Sequence, residues 1–147
     1  MRVQRFVIAA VIAAVAILLV QGATPGQDKD HAKMYAECAK ACDACAKECV
    51  ACHDHCKRLV DAGQKEHEAA QKLCADCAEV CTTAAKVVGR QGPLSVQMCE
   101  ACAKACDVCA AECEKSPMDA HMTKCAKECR ACAKSCREMV KHLTPAK

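Results

Sequence analysis

Cys38, Cys42, Cys45, Cys49, Cys52 and Cys56 follow one another at gaps of 4, 3, 4, 3 and 4 residues. That alternation is the period of one face of an α-helix, the face on which an ordinary bundle carries leucine. The pattern returns at Cys74, Cys77 and Cys81, at Cys99, Cys102, Cys106, Cys109 and Cys113, and at Cys125, Cys129, Cys132 and Cys136, so all 18 cysteines belong to four such runs. Thiols in this number and register can form disulfides, pack as small hydrophobes, or ligate a soft metal.

Each use demands a different geometry. Side chains at i,i+3 or i,i+4 have β-carbons about 5 to 6 Å apart, whereas a disulfide wants about 3.5 to 4.5 Å. Neighbours within a run are therefore poor disulfide partners, although bridges between helices stay open. A lone cysteine often fills a core as a small hydrophobe, but thiols at nearly every layer forgo the burial energy of leucine with nothing gained unless something binds there. Zinc takes four thiolates and leaves a doubly negative site, which is costly to repeat along a core. Iron–sulfur clusters use CxxC runs too, usually in irregular loops. A soft monovalent ion held in line by two thiolates needs sulfurs about 4.6 Å apart, taking two bonds of the zinc–sulfur length. Copper(I) meets that description, and one Cu(I) per cysteine neutralises the core as each thiol releases its proton. A disulfide-stapled bundle and a zinc or mixed-metal thiolate buffer remain the alternatives.

The elements that must position these thiols are legible from composition. A chain of 147 residues is one domain by length, and its apolar content of 53% is largely Ala and Cys. Beyond residue 23 the aromatic inventory is Tyr35 alone, so ordinary hydrophobic burial is weak. The net charge of +3 implies neither nucleic acid nor a membrane surface as partner. No acid–base pair, nucleophile with its base, or open metal site stands out, and an enzyme is not expected.

Residues 1–23 open with Arg2 and Arg5, run apolar from Phe6 to Val20 and end in Gly22 and Ala23, the pattern of a secretory signal peptide. The 15 apolar residues fall short of a membrane span, and export to the periplasm or another extracytoplasmic space is expected. A domain over residues 30–143 follows. The first helix is expected from Asp30 to about Ala62, stopped by Gly63, and the second from about Lys65 to Val88, closed by Gly89, Gly92 and Pro93. The third begins at Ser95 as N-cap and ends near Lys115, and the fourth runs from about Met118 to His142. Short links favour antiparallel neighbours, hence an all-α, up-down-up-down four-helix bundle with a cysteine-lined core. Ala41, Ala44, Ala51, Ala101, Ala105 and Ala131, beside the cysteines, are expected to let the helices approach.

The runs CAKACDACAKECVAC, CEACAKACDVCAAEC and CAKECRACAKSC resemble those of the bacterial four-helix-bundle copper storage proteins. The resemblance spans about Met34 to Met139. It implies a lumen holding many Cu(I) ions on cysteine, with a few Met and His at the open end. The leader resembles that of the exported branch, which is associated with supplying copper to enzymes and tends to form tetramers; copper donors and acceptors are the implied partners. Only three cysteines occur in the second helix, which puts the lumen beside Ala84, Ala85 and Val88 in doubt as a copper site.

Antiparallel packing gathers Leu59, His67, Met118, His121 and Met122 at one end. His67, Met118, His121 and Met122 are soft or borderline ligands able to pass an ion inward. His53 and His55 flank the seam near that end and read as a solvated shoulder. The opposite end collects Tyr35, Val87, Val88, Leu94, Met139 and Leu143, which reads as an apolar plug.

Overall fold

The computed structural model describes residues 25–144, so the expected leader lies outside the described residues. The chain divides into two compact units, Met1–His31 and Ala32–Lys147, and every cysteine belongs to the second. Helix α1 spans Pro25–Asp61, α2 Glu68–Gly89, α3 Ser95–Cys113 and α4 Ala120–Leu143, with a 3-10 turn at Lys65–His67 before α2. Ala, Lys, Glu and Cys supply more than half of the residues of these stretches, and no Gly or Pro interrupts their interiors, which favours the helix. On the outer faces, ion pairs one turn apart support it, among them Asp43–Lys47 at 2.6 Å and Glu68–Lys72 at 2.8 Å.

The helix ends are built with more variety than the glycines announce. Gly63, at φ 95°, closes α1. Its amide reaches the Val60 carbonyl and that of Gln64 reaches Leu59, which satisfies two carbonyls of the last turn. The same pair of bonds closes α2, yet the left-handed residue there is Gln91, at φ 54°, and neither Gly89 nor Gly92. Ser95 does not cap α3 as expected. It is the first helical residue, buried, and its hydroxyl donates to the Gly92 carbonyl at 2.6 Å. Helix α4 begins at Ala120, two residues later than expected, because the Asp119 carboxylate accepts from the Met122 amide at 3.0 Å and fixes the start there.

The sulfur partners give the topology. Cys38, Cys42 and Cys45 meet Cys99, Cys102 and Cys106 in the same order, so α1 and α3 run parallel. Cys42 meets Cys136 while Cys49 meets Cys125, so α1 and α4 run antiparallel. Cys81 meets Cys102 while Cys74 meets Cys113, which sets α2 antiparallel to α3. Outside, Arg130 bonds to Glu114 and Asp107, and Arg137 also reaches Asp107, clasping α4 to α3. The expected up-down-up-down bundle with a cysteine-lined core is the architecture observed.

The alanines that admit close packing are not the expected ones. Ala44, Ala51, Ala101 and Ala131 are exposed, and Ala41 and Ala105 are half-buried. Buried instead are Ala46, Ala78, Ala103, Ala110, Ala126 and Ala133, each directly following a core cysteine. At these six positions the buried face extends one residue beyond the cysteine, whereas Asp43, Val50, Lys57 and Glu100, which follow Cys42, Cys49, Cys56 and Cys99, are exposed.

Candidate metal centre

The four runs place all eighteen sulfurs inside the bundle; every cysteine is buried, at 2% exposure or less, and none is bridged. Sulfur–sulfur separations across helices include 3.5 Å for Cys81–Cys102, 3.6 Å for Cys42–Cys136 and 3.7 Å for Cys74–Cys109. A disulfide would hold the pair at about 2.05 Å, so these thiols touch without being joined.

They stack in layers along the bundle axis. Cys38 and Cys99 meet near one end at 3.8 Å. Then come Cys42, Cys102, Cys132 and Cys136; Cys45, Cys77, Cys81 and Cys106; Cys49, Cys109, Cys125 and Cys129; and Cys52, Cys74, Cys113 and Cys125, each set within 4.8 Å of one another. Adjacent layers are linked, Cys45 to Cys49 at 3.9 Å and Cys102 to Cys106 at 4.0 Å. A sulfur in one layer therefore lies close to a sulfur of the next, and such thiolates would be placed to bridge ions held in adjacent layers.

Without metal the thiols shift in both directions. Burial pushes Cys56 up to about 12, and the neighbouring Cys52 adds to the rise. Hydrogen bonds with Cys109, Cys113, Cys125 and Cys52, together with burial, raise Cys74 well above the ordinary thiol range. Cys132 moves the other way, lowered by its hydrogen bonds with Cys102, Cys106, Cys136 and Cys42. In such a network a proton held on one sulfur is withheld from the next, and the lumen titrates as a set. A cation that displaces protons removes the need to bury negative charge, and soft thiolates select Cu(I) over harder ions.

The gap expected in helix two is present. Ala84 and Val88 are fully buried and stand where the α2 face would carry further thiols. They line that part of the core with methyl groups, so α2 offers no thiol there.

At the end formed by the C-termini of α1 and α3, His67 and Met122 are buried, at 9% and 2% exposure. Met118 is 96% exposed and does not reach the inner face. His121 is exposed, with its ring stacked on that of His55, centroids 4.3 Å apart. His55 is not the solvated shoulder expected from sequence. Its Nε2 lies 2.6 Å from an Asp119 carboxylate oxygen, and both side chains are only 18% exposed. Burial opposes ionisation of Asp119, but the bond from His55 and the Met122 amide outweigh it and hold the carboxyl below its ordinary range. His53 is also engaged, its Nδ1 2.9 Å from the Gln71 carbonyl. Sequence reading missed Asp119; its position three residues before Met122, after a proline turn, is the cap signal that could have found it.

At the opposite end Val87, Val88 and Met139 are buried, and Met34, Tyr35, Met98, Val140 and Leu143 pack partly buried against the core. Leu94 is 59% exposed and takes no part in the plug.

Comparison with known proteins agrees with this geometry. The chain aligns in space with Cu(I)-bound copper storage protein BsCsp3 at a TM-score of 0.66 and 34% identity, over 72% of this chain and 98% of that one. A cytosolic copper storage protein from Streptomyces lividans, described with five coppers, aligns at a TM-score of 0.69 and 30% identity, over 76% of this chain and 96% of that one. A structure of the Streptomyces lividans copper storage protein Ccsp loaded with 10 copper equivalents aligns at 0.69 and 29% identity, over 84% and 94%. No curated protein sequence matches the chain. The sequence profile of the copper storage proteins matches residues 13–141, and the chain belongs to that family.

Proposed function

We propose that this chain is a non-enzymatic store for Cu(I), holding many ions on the cysteine thiolates of its lumen and buffering or supplying copper outside the cytoplasm. The observation that carries the reading is the set of eighteen buried, unbridged thiols, fifteen of which fall in linked four-sulfur sets. Neutrality limits capacity. With bridging thiolates the lumen reaches zero charge at about one Cu(I) per cysteine. Anaerobic titration of the fully reduced chain should therefore take up ions in the teens, and an end point at about four or fewer would remove the reading in favour of zinc-like sites.

The extracytoplasmic part of the proposal rests on Arg2, Arg5 and the apolar run from Phe6 to Val20. Mass analysis of the protein recovered from a periplasmic fraction should show a mature chain beginning near Ala23 or Thr24; recovery with residues 1–23 intact in the cytoplasm would overturn export. At the His67 end, His67, His121 and Met122 are proposed as transient ligands that admit copper, with Met118 at the rim. Replacing His67, Met118 and Met122 should slow loading and leave capacity nearly unchanged. The partners are copper donors and acceptors, with neither nucleic acid nor, after leader removal, a membrane. A homotetramer is the assembly proposed from the resemblance, and sedimentation of the mature chain tests it.

A further inference from the structure

Each four-sulfur layer contains two thiols that touch across helices and two more left beside them. In the layer of Cys42, Cys102, Cys132 and Cys136, Cys42 of α1 meets Cys136 of α4 at 3.6 Å, and Cys102 and Cys132 remain. In the next, Cys81 of α2 meets Cys106 of α3 at 3.5 Å, and Cys45 and Cys77 complete the set. The two further layers repeat the arrangement with Cys49 and Cys129 at 3.7 Å and with Cys74 and Cys113 at 3.9 Å. A disulfide holds its sulfurs at about 2.05 Å, so closing the shortest of these contacts takes roughly 1.5 Å of travel shared between two side chains. Partners one turn apart on a single helix lack that option, because their β-carbons stand about 5 to 6 Å apart. Oxidation of the lumen is therefore directed across the helices, and all eighteen thiols are unbridged at the outset.

We propose that the lumen reduces Cu(II) as it loads, spending the touching pair of a layer as reductant and keeping the other pair as ligands. The proposal rests on the storage reading above and draws its substrate from the extracytoplasmic part of that reading, since aerated water holds copper as Cu(II). The step balances without a further reagent. Two thiols give two protons to solvent and one electron to each of two Cu(II) ions, an S–S bond forms between the two sulfurs, and two Cu(I) ions result. Soft thiolates favour Cu(I) over the ion that arrived. The remaining pair lies within 4.8 Å of the spent one, so the reduced ions are captured where they form.

The layer also sets the yield. Four sulfurs reduce and hold two ions, whereas the same four hold about four when copper arrives already reduced. Loading from Cu(II) therefore stops of its own accord at about half of the Cu(I) capacity, because every two ions reduced remove two ligands. The new bonds join α1 to α4 and α2 to α3 along contacts that the bundle already makes, so helix packing is kept while sites are lost.

The test is anaerobic addition of Cu(II) sulfate to the fully reduced mature chain, freed of small-molecule reductant, with electron paramagnetic resonance and a count of bound copper after gel filtration. The Cu(II) signal should vanish for the first ions and persist beyond about half of the Cu(I) capacity. Thiols counted after denaturation and removal of copper should fall by one for each ion reduced, and peptide mapping should find the Cys42–Cys136 and Cys81–Cys106 links. A Cu(II) signal that survives from the first addition with no thiol lost, or links that form only between chains, would overturn the reducing role, and the store stands if Cu(I) supplied as such still loads into the teens. Failure of Cu(I) to load refutes both.

Discussion

Replacing Cys102, Cys106 and Cys109 by Ser in the middle of α3 separates the two ways in which this lumen could hold metal. Serine keeps the shape of cysteine, and its hydroxyl stays protonated and hard, so each change deletes one thiolate. If every thiolate is matched by one Cu(I), capacity falls by about three ions from a total that approaches the cysteine count. Tetrahedral zinc obeys different arithmetic. Of the four layers above together with the set of Cys45, Cys49, Cys77 and Cys129, no more than three can fill at once, because Cys45 and Cys77, Cys49 and Cys129, and Cys125 are each shared between sets. Three Zn²⁺ on twelve thiolates would bury about six uncompensated negative charges. The triple variant destroys the sets containing Cys102, Cys106 and Cys109, but the set of Cys45, Cys49, Cys77 and Cys129 and that of Cys52, Cys74, Cys113 and Cys125 share no member and survive. Zinc capacity should drop only from about three to about two. The assay is anaerobic titration of reduced native and variant chains with each metal, bound metal being counted against protein after gel filtration, with far-UV circular dichroism to confirm that helix content is unchanged. The buried hydroxyls cost about 1 to 3 kcal/mol each where they find no partner. Circular dichroism therefore has to be read before the metal count. A variant that keeps its helices yet loses nearly all Cu(I) capacity would refute the reasoning, because thiolates shared evenly along the tube cannot fail as a unit.

Saturation with Cu(I) should raise the melting temperature of the reduced chain, since a ligand that binds only the folded state stabilises it; an unchanged midpoint would mean that copper does not enter the core. Loading should release close to one proton per ion and tighten as pH rises, because thiols such as Cys56, held near 12 by burial, must give up their protons to bind; pH-stat titration without buffer measures it. Ala84→Cys with Val88→Cys should add about two ions to the capacity by completing the thiol face of α2, which the same titration reads. Asp119→Ala should cost about 1 kcal/mol through loss of the α4 cap. Because the folded carboxyl titrates below its ordinary range, that contribution is present above the unfolded pKa and disappears as pH falls through the folded one; equal denaturation midpoints for native and variant chains at neutral pH would contradict it.

The fold class and the inward face were determined by the sequence alone, because both follow from periodicity. Gaps of 3 and 4 over four runs leave one stripe per helix, and stops near Gly63, Pro93 and Pro117 separate four helices by links short enough to force antiparallel neighbours. The identity of the buried residue at each layer was legible for the same reason, and all eighteen cysteines lie where the period puts them. What periodicity does not encode is contact between residues far apart in sequence. Only the packed bundle brings His55 onto Asp119, 64 residues away, and stacks His121 against it. Only the packed bundle turns Met118 outward, because the Asp119 cap delays the start of α4 past it. The alanines show the same division. Sequence identified small residues beside the thiols, but which of them are buried depends on how each helix meets its neighbours, and that exists only once the helices pack. Likewise Met34 and Met139 lie more than a hundred positions apart in the chain, and sequence alone assigns only Met139 to the apolar end. They line one opening because the antiparallel α1 and α4 bring the start of one helix beside the end of the other.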